Sequence, residues 1–208
     1  TEPKMSIVFT FKSMSLDGFV AGPNDEIDPL HDWLFTTRPR SSSPGWVESG
    51  GKPEKFFGPT GVNKELFDEI MAMGSGATII GRRTYDVTNG WGGKPPGDDP
   101  YFVLTHNPPP VDAISSNFTF VTDGIESALR QARALANGRQ IGLMGANVVQ
   151  QFLAAGLLDE LVLQIVPVLL GRGIRLFDHL GTSHIKLERT RLVEGNDGVT
   201  HIWMRVLK

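Results

Sequence analysis

Three short stretches carry the side chains best suited to holding a polyanion: Gly81-Arg82-Arg83-Thr84, Thr105-His106 and Gly145-Ala146-Asn147. Arginine forks match phosphate oxygens, and a glycine turn entering a helix gathers unpaired N–H groups at the positive end of the helix dipole. The third stretch belongs to residues 140–153, which read as a short apolar strand, a glycine turn and a helix with Val148, Val149, Phe152 and Leu153 on one face. Such a junction is a seat for phosphate, although an ordinary strand–helix connection gives the same pattern. Other chemistries are closed off. The chain has no cysteine, which removes a disulfide framework, a thiolate nucleophile and a Cys-based zinc site. His31, His106, His179, His184 and His201 include no pair four residues apart, so no metal site is expected.

The elements that must position these stretches follow from periodicity. Ile7 to Phe11 is β-rich and runs into a glycine bend at residues 13–23. Residues 29–35 suggest a short helix capped by Asp28, with Leu30, Trp33 and Leu34 on its apolar side. Residues 36–61, rich in Ser, Gly and Pro, read as a long irregular insertion. Asn63 is a candidate cap for a helix burying Leu66, Phe67, Ile70 and Met71 and closed by Gly74. Ala77 to Gly81 is a buried strand leading into a short helix, and strands follow at residues 101–105 and 118–121. Asp123 and Glu126 resemble a capping box for a helix that buries Ile125, Ala128, Leu129 and Ala132.

Residues 161–168 form a nearly unbroken apolar strand, as in the middle of a sheet, and residues 170–177 read as a turn plus a helical turn. The tail alternates around Gly195-Asn196-Asp197-Gly198 as an antiparallel hairpin. Strands alternating with helices and ending in a hairpin predict an α/β fold of three layers, α/β/α, around a mixed, mainly parallel sheet. At 208 residues, 40% hydrophobic and 21% charged, the length suits a single domain. A formal net charge of -3 with no long basic run gives no footprint for nucleic acid or an anionic membrane. Neither a membrane span nor a signal peptide is evident, and a cytoplasmic location is the expectation.

In open sheets ligands gather at the carboxyl ends of the strands, where all three stretches fall. Together with Ser15-Leu16-Asp17-Gly18-Phe19-Val20-Ala21-Gly22-Pro23, Gly156-Leu157-Leu158-Asp159-Glu160-Leu161 and the run from Pro167 to Phe177, they resemble the dihydrofolate-reductase-like superfamily. The resemblance is to its riboflavin-biosynthesis pyrimidine-reductase branch, the RibD C-terminal type. It implies an NADPH-dependent reductase of a pyrimidine or pterin-like heterocycle, with the 5-amino-6-(5-phosphoribosylamino)uracil reductase reaction foremost, and a homodimer.

By this resemblance Gly81, Arg82, Arg83 and Thr84 would receive cofactor phosphates, Leu104, Thr105 and His106 would border the adenosine 2′-phosphate, and Gly145, Ala146, Asn147 and Val148 would cradle the pyrophosphate. Asp17 and Gly18 would lie in the loop over the nicotinamide, although Asp before Gly is also the common Asx turn. Asp28 and Asp32 are the nearest candidates for a catalytic carboxylate, and Trp33, with Trp46 and Trp91, for stacking on a flat substrate ring. Trp203 is expected in the core or a dimer interface. Two departures stand out: Met144-Gly145-Ala146 replaces the Glu-Gly-Gly of the riboflavin enzymes, and their Asp, Pro and Arg substrate-loop pattern is missing. These departures keep open a dihydrofolate-reductase-like enzyme of another substrate and a non-catalytic nucleotide-binding module.

Overall fold

The apolar runs become the inner strands of one eight-stranded sheet. The structure is a computed structural model that describes residues 6–37, 55–110, 116–181 and 184–208. In chain order the elements are β1 (Val8–Ser15), β2 (Phe19–Ala21), β3 (Phe35–Thr37), β4 (Lys55–Phe57), α1 (Gly61–Met73), β5 (Ala77–Gly81), α2 (Arg82–Val87), β6 (Tyr101–Leu104) and β7 (Phe118–Val121). There follow α3 (Ile125–Ala136), β8 (Ile141–Met144), α4 (Ala146–Ala154), β9 (Glu160–Val166), β10 (Ile174–Arg175), β11 (Lys186–Glu194) and β12 (Thr200–Leu207). The sheet runs β11-β12-β9-β1-β8-β5-β6-β7. From β9 to β7 every neighbouring pair is parallel, while β12 is antiparallel to both β9 and β11. The fold class expected from the sequence is therefore the one found.

The two faces of the sheet are covered differently. On one, Val8, Ile141, Leu143, Ala77 and Ile79 meet Ala128, Leu129 and Ala132 of α3 and Val148, Val149 and Phe152 of α4 in the main core. On the other, Leu66 and Ile70 of α1 pack on Val162 and Trp203, and Tyr85 and Trp91 lie against Ile80, Tyr101, Val103 and Phe118. Between these two patches lie β1 and β8. Phe9, Phe11 and Met144, on that face of the two strands, are half-buried, whereas Val8, Thr10 and Ile141 on the opposite face are 0% exposed. Central strands are normally covered on both sides, so these half-buried side chains mark a groove between α1 and α2.

Several local expectations are corrected. Residues 29–35 do not form a helix of their own: a 3-10 turn, Asp32–Leu34, leads straight into β3, with no side-chain cap. The insertion is not irregular throughout, since β3 pairs antiparallel with β4 at its two ends; residues 38–54, including Trp46, lie outside the described residues. Asn63 is no cap, because Thr60 holds that position and Asn63 is buried instead, 1% exposed. The Asp123/Glu126 capping box does not form, and Gly124 occupies the N-cap without a side-chain bond. Residues 170–177 contain no helical turn; β10 pairs antiparallel with β2, the extended backbone being better satisfied by a neighbouring strand than by itself. Trp203 sits in the core at 9% exposure.

Candidate functional site

The chain leaves a slot between β1 and β5 that β8 fills some sixty residues later. Connections diverge at that point, and a crevice opens at the carboxyl ends of the strands. Gly81 ends β5 and caps α2; Gly145 ends β8 and caps α4. Gly145 has φ +101, and a Cβ placed there would lie 2.8 Å from Thr84 Oγ1 and 3.7 Å from the Gly81 nitrogen. The two glycine junctions and Thr84 thus meet in one cradle. Neither helix start is capped by a side chain, so the cradle has the shape and the free amide donors that a phosphate group fills.

The remaining residues of the cradle sort by accessibility. Ala146 and Val148 are buried, and Val148 Cγ2 would touch a Cβ on Gly81 at 3.4 Å. Asn147 is exposed and its Oδ1 accepts from Gln151 Nε2 at 2.6 Å. Arg82 bridges outward: its Nε donates to Asp86 Oδ1 at 2.8 Å and its guanidinium also donates to the Asn107 carbonyl. That carbonyl follows Leu104, Thr105 and His106 at the end of β6, where Thr105 Oγ1 accepts from the Asn107 amide at 3.1 Å. Arg82 and the Leu104–His106 stretch are therefore brought together. Arg83 points elsewhere, its fork closed on Asp25 through Nε to Oδ1 at 2.7 Å and a second bond at 3.0 Å, a pairing that raises its pKa.

Asp17 acts on its own chain. Oδ1 accepts from Ser15 Oγ at 2.6 Å and from the Leu170 amide at 3.1 Å, while Oδ2 accepts from the Gly171 amide at 2.7 Å. The Ser15 hydroxyl, then the Gly171 and Leu170 amides, hold its carboxyl below the usual range against a smaller opposing effect of burial. Gly18, at φ +89, allows the turn, and Arg175 Nη1 donates to the Asp17 carbonyl at 3.3 Å while the guanidinium lies over the Phe19 ring. The loop at residues 15–18 is thereby stitched to residues 168–176.

Asp28 and Asp32, the two candidate catalytic carboxylates, are both exposed. Both act on half-buried His31, whose pKa is lowered first by burial and then by the Lys12 charge, with Asp28 and Asp32 opposing. Lys12 was not singled out by sequence. It lies in the part of β1 that runs on beyond the last β8 pairing at Thr10–Leu143, and burial pushes its ammonium down to about 8. Its signal was one charged residue inside an otherwise uncharged strand. Trp33 is buried at 5% exposure; its indole N–H donates to Ser13 Oγ at 2.9 Å, and its ring meets Phe11, Phe67 and His201 edge-on. Trp91 packs on Tyr101. Among the described residues no cluster of His and carboxylates could hold a metal ion, and no helix is long and apolar enough to cross a membrane.

Comparison with known proteins bears on this arrangement. A sequence model of the RibD C-terminal domain matches residues 6–200. No curated protein matches the chain. A riboflavin-biosynthesis-assigned protein of Shewanella sp. PV-4 superimposes with a TM-score of 0.71 at 21% identity, over 97% of this chain and 99% of that one. The diaminohydroxyphosphoribosylaminopyrimidine deaminase/5-amino-6-(5-phosphoribosylamino)uracil reductase of Thermotoga maritima gives 0.61 at 14% identity, over 98% of this chain but 57% of its own length. Dihydrofolate reductase of Enterococcus faecalis, in complex with NADP(H), gives 0.57 at 13% identity over 97% of both chains. These likenesses establish a shared fold.

Proposed function

Because the chain belongs to the RibD C-terminal domain family, we propose that it is a reductase that takes hydride from NADPH and delivers it to a pyrimidine or pterin-like heterocycle, 5-amino-6-(5-phosphoribosylamino)uracil foremost. The observation that carries this reading is the cradle in which Gly145, Thr84 and Gly81 converge with both helix starts uncapped. Amides at the start of α4 would hold the pyrophosphate, and Arg82 with Thr105 and His106 would hold the 2′-phosphate. Bound NADPH supplies the hydride. The chain's own work is to orient the rings. Half-buried Phe11 and Met144 form a floor that excludes water over β1 and β8.

The test is a fluorescence titration of the protein with NADPH and, in parallel, NADH, followed by turnover with candidate heterocycles. Saturable binding favouring NADPH and oxidation of NADPH coupled to the acceptor are expected. Binding of neither nucleotide by the folded protein rejects the reading.

A further inference from the structure

The start of α4 closes the cradle, and about one turn further along the same helix a polar side chain interrupts the buried face. Gln150 is 7% exposed and lies among Val148, Val149, Phe152 and Leu153, all buried. Its Nε2 donates to two successive main-chain carbonyls, that of Arg175 at 2.9 Å and that of Leu176 at 3.3 Å. A primary amide has two N–H groups, so one side chain serves both acceptors. Among the described residues no other side chain of α4 bonds to this segment; Asn147 and Gln151 bond to each other.

The two carbonyls belong to a ribbon beside α4. β10 pairs antiparallel with β2, and Val20 and Leu176 pack in the same core as α4. The ribbon in turn holds the loop at residues 15–18. The Leu176 amide donates to the Gly18 carbonyl at 3.0 Å, Arg175 Nη1 donates to the Asp17 carbonyl at 3.3 Å, and the Leu170 and Gly171 amides donate to the Asp17 carboxylate at 3.1 and 2.7 Å. Residues 175 and 176 therefore accept hydrogen bonds from α4 and donate hydrogen bonds to the loop.

The loop stands beyond the cradle along the strand direction. β1 continues from its last β8 pairing, Thr10 beside Leu143, to Ser15 beside Val166 of β9. At about 3.3 Å per residue the loop lies about 10 Å past Gly145. A dinucleotide seated by its pyrophosphate at α4 reaches over such a distance with its ribose and nicotinamide ring.

We propose that Gln150 is a positioning residue. By tying α4 to the β2–β10 ribbon it fixes the gap between the phosphate cradle and the loop at residues 15–18, so that a dinucleotide held by its phosphates presents its nicotinamide ring in one orientation. Gln150 is buried in the core and acts through Arg175, Leu176 and the loop. The assignment rests on the reductase reading for the identity of the ligand, and adds the side chain that couples the two halves of its site.

Two measurements on the full chain test it. The first is amide hydrogen exchange without ligand, read by nuclear magnetic resonance: Gln150→Met is expected to speed exchange of the Leu170 and Leu176 amides about tenfold, while amides within α4 keep their protection. The second is titration with NADPH and with 2′-phospho-ADP-ribose, the same cofactor without its nicotinamide ring. Gln150→Met is expected to weaken NADPH about fivefold to tenfold and the ring-less fragment by less than about twofold. If Gln150→Met does not fold, exposed Arg175 takes its place, and Arg175→Met is expected to weaken NADPH about threefold with the fragment unchanged. Unchanged exchange at Leu170 and Leu176, faster exchange throughout α4, equal weakening of NADPH and the fragment, or no weakening of either each overturns the proposal. Nucleotide binding with unchanged exchange rejects the tie and leaves the reductase reading standing. A wild-type protein that binds neither nucleotide, with exchange faster in Gln150→Met, rejects the reductase reading and keeps the tie.

Discussion

Arg82 and Arg83 are neighbours in sequence with opposite prospects. Arg82 reaches the turn that follows β6, where a 2′-phosphate would lie, while the Arg83 fork is occupied by Asp25 on the surface. Arg82→Ala is expected to weaken NADPH by about tenfold and NADH little, since a charge-assisted bond is worth about 1.5–3 kcal/mol before solvent screening. Arg83→Ala is expected to leave both nucleotides near wild type; equal losses for the two arginines, measured by titration, would remove the distinction. The two residues could not be separated by sequence, because the difference lies in Asp25, 58 positions away. Gln150 was legible in a limited way, as a polar interruption in the apolar face of α4, without any sign of the carbonyls that it meets. His201 also gives a sign for acid stability. Its folded pKa is lowered from 6.5 to about 4, so the unfolded chain takes up a proton that the folded chain refuses. Stability should fall by up to about 1.4 kcal/mol per pH unit between about 6.5 and 4. Denaturant titrations across that range should show a flatter dependence for His201→Asn; equal slopes would place the acid sensitivity elsewhere.

Among the elements, α4 does two jobs. Its N-terminus closes the cradle, and Phe152, 0% exposed, anchors it in the main core. Phe152→Ala should cost about 3–5 kcal/mol through lost burial and the cavity left behind, read as a lower urea midpoint with an unchanged slope. A loss below about 1 kcal/mol would mean that the site collapses around the deletion. The strand–glycine–helix junctions were readable because apolar period and turn residue agree there. The β2–β10 and β3–β4 pairs were not readable. Each strand has two or three residues, too few for a period, and exists because a partner distant in sequence satisfies its backbone. The Asp17 clamp shows the same limit: an Asp-Gly pair announces a local turn, whereas its carboxylate is spent on amides 153 and 154 residues away.

At the scale of the whole molecule, β8 joins two parts of the sheet, β5-β6-β7 on one side and β1-β9-β12-β11 on the other. The earlier part of the chain supplies Gly81 and Thr84, and the later part supplies Gly145. Two fragments cut at the exposed turn around Gly138 should each fail to bind NADPH, and co-refolding them should restore binding. Binding by the longer fragment alone would show that the cradle does not need Gly145. As the chain emerges during synthesis, residue 145 arrives after all of β1, β5, β6 and β7 have been made, and β8 is the piece that locks them into a single sheet. Occupancy by a nucleotide would therefore serve as a checkpoint on assembly: a chain able to hold the cofactor is one whose central seam has already closed.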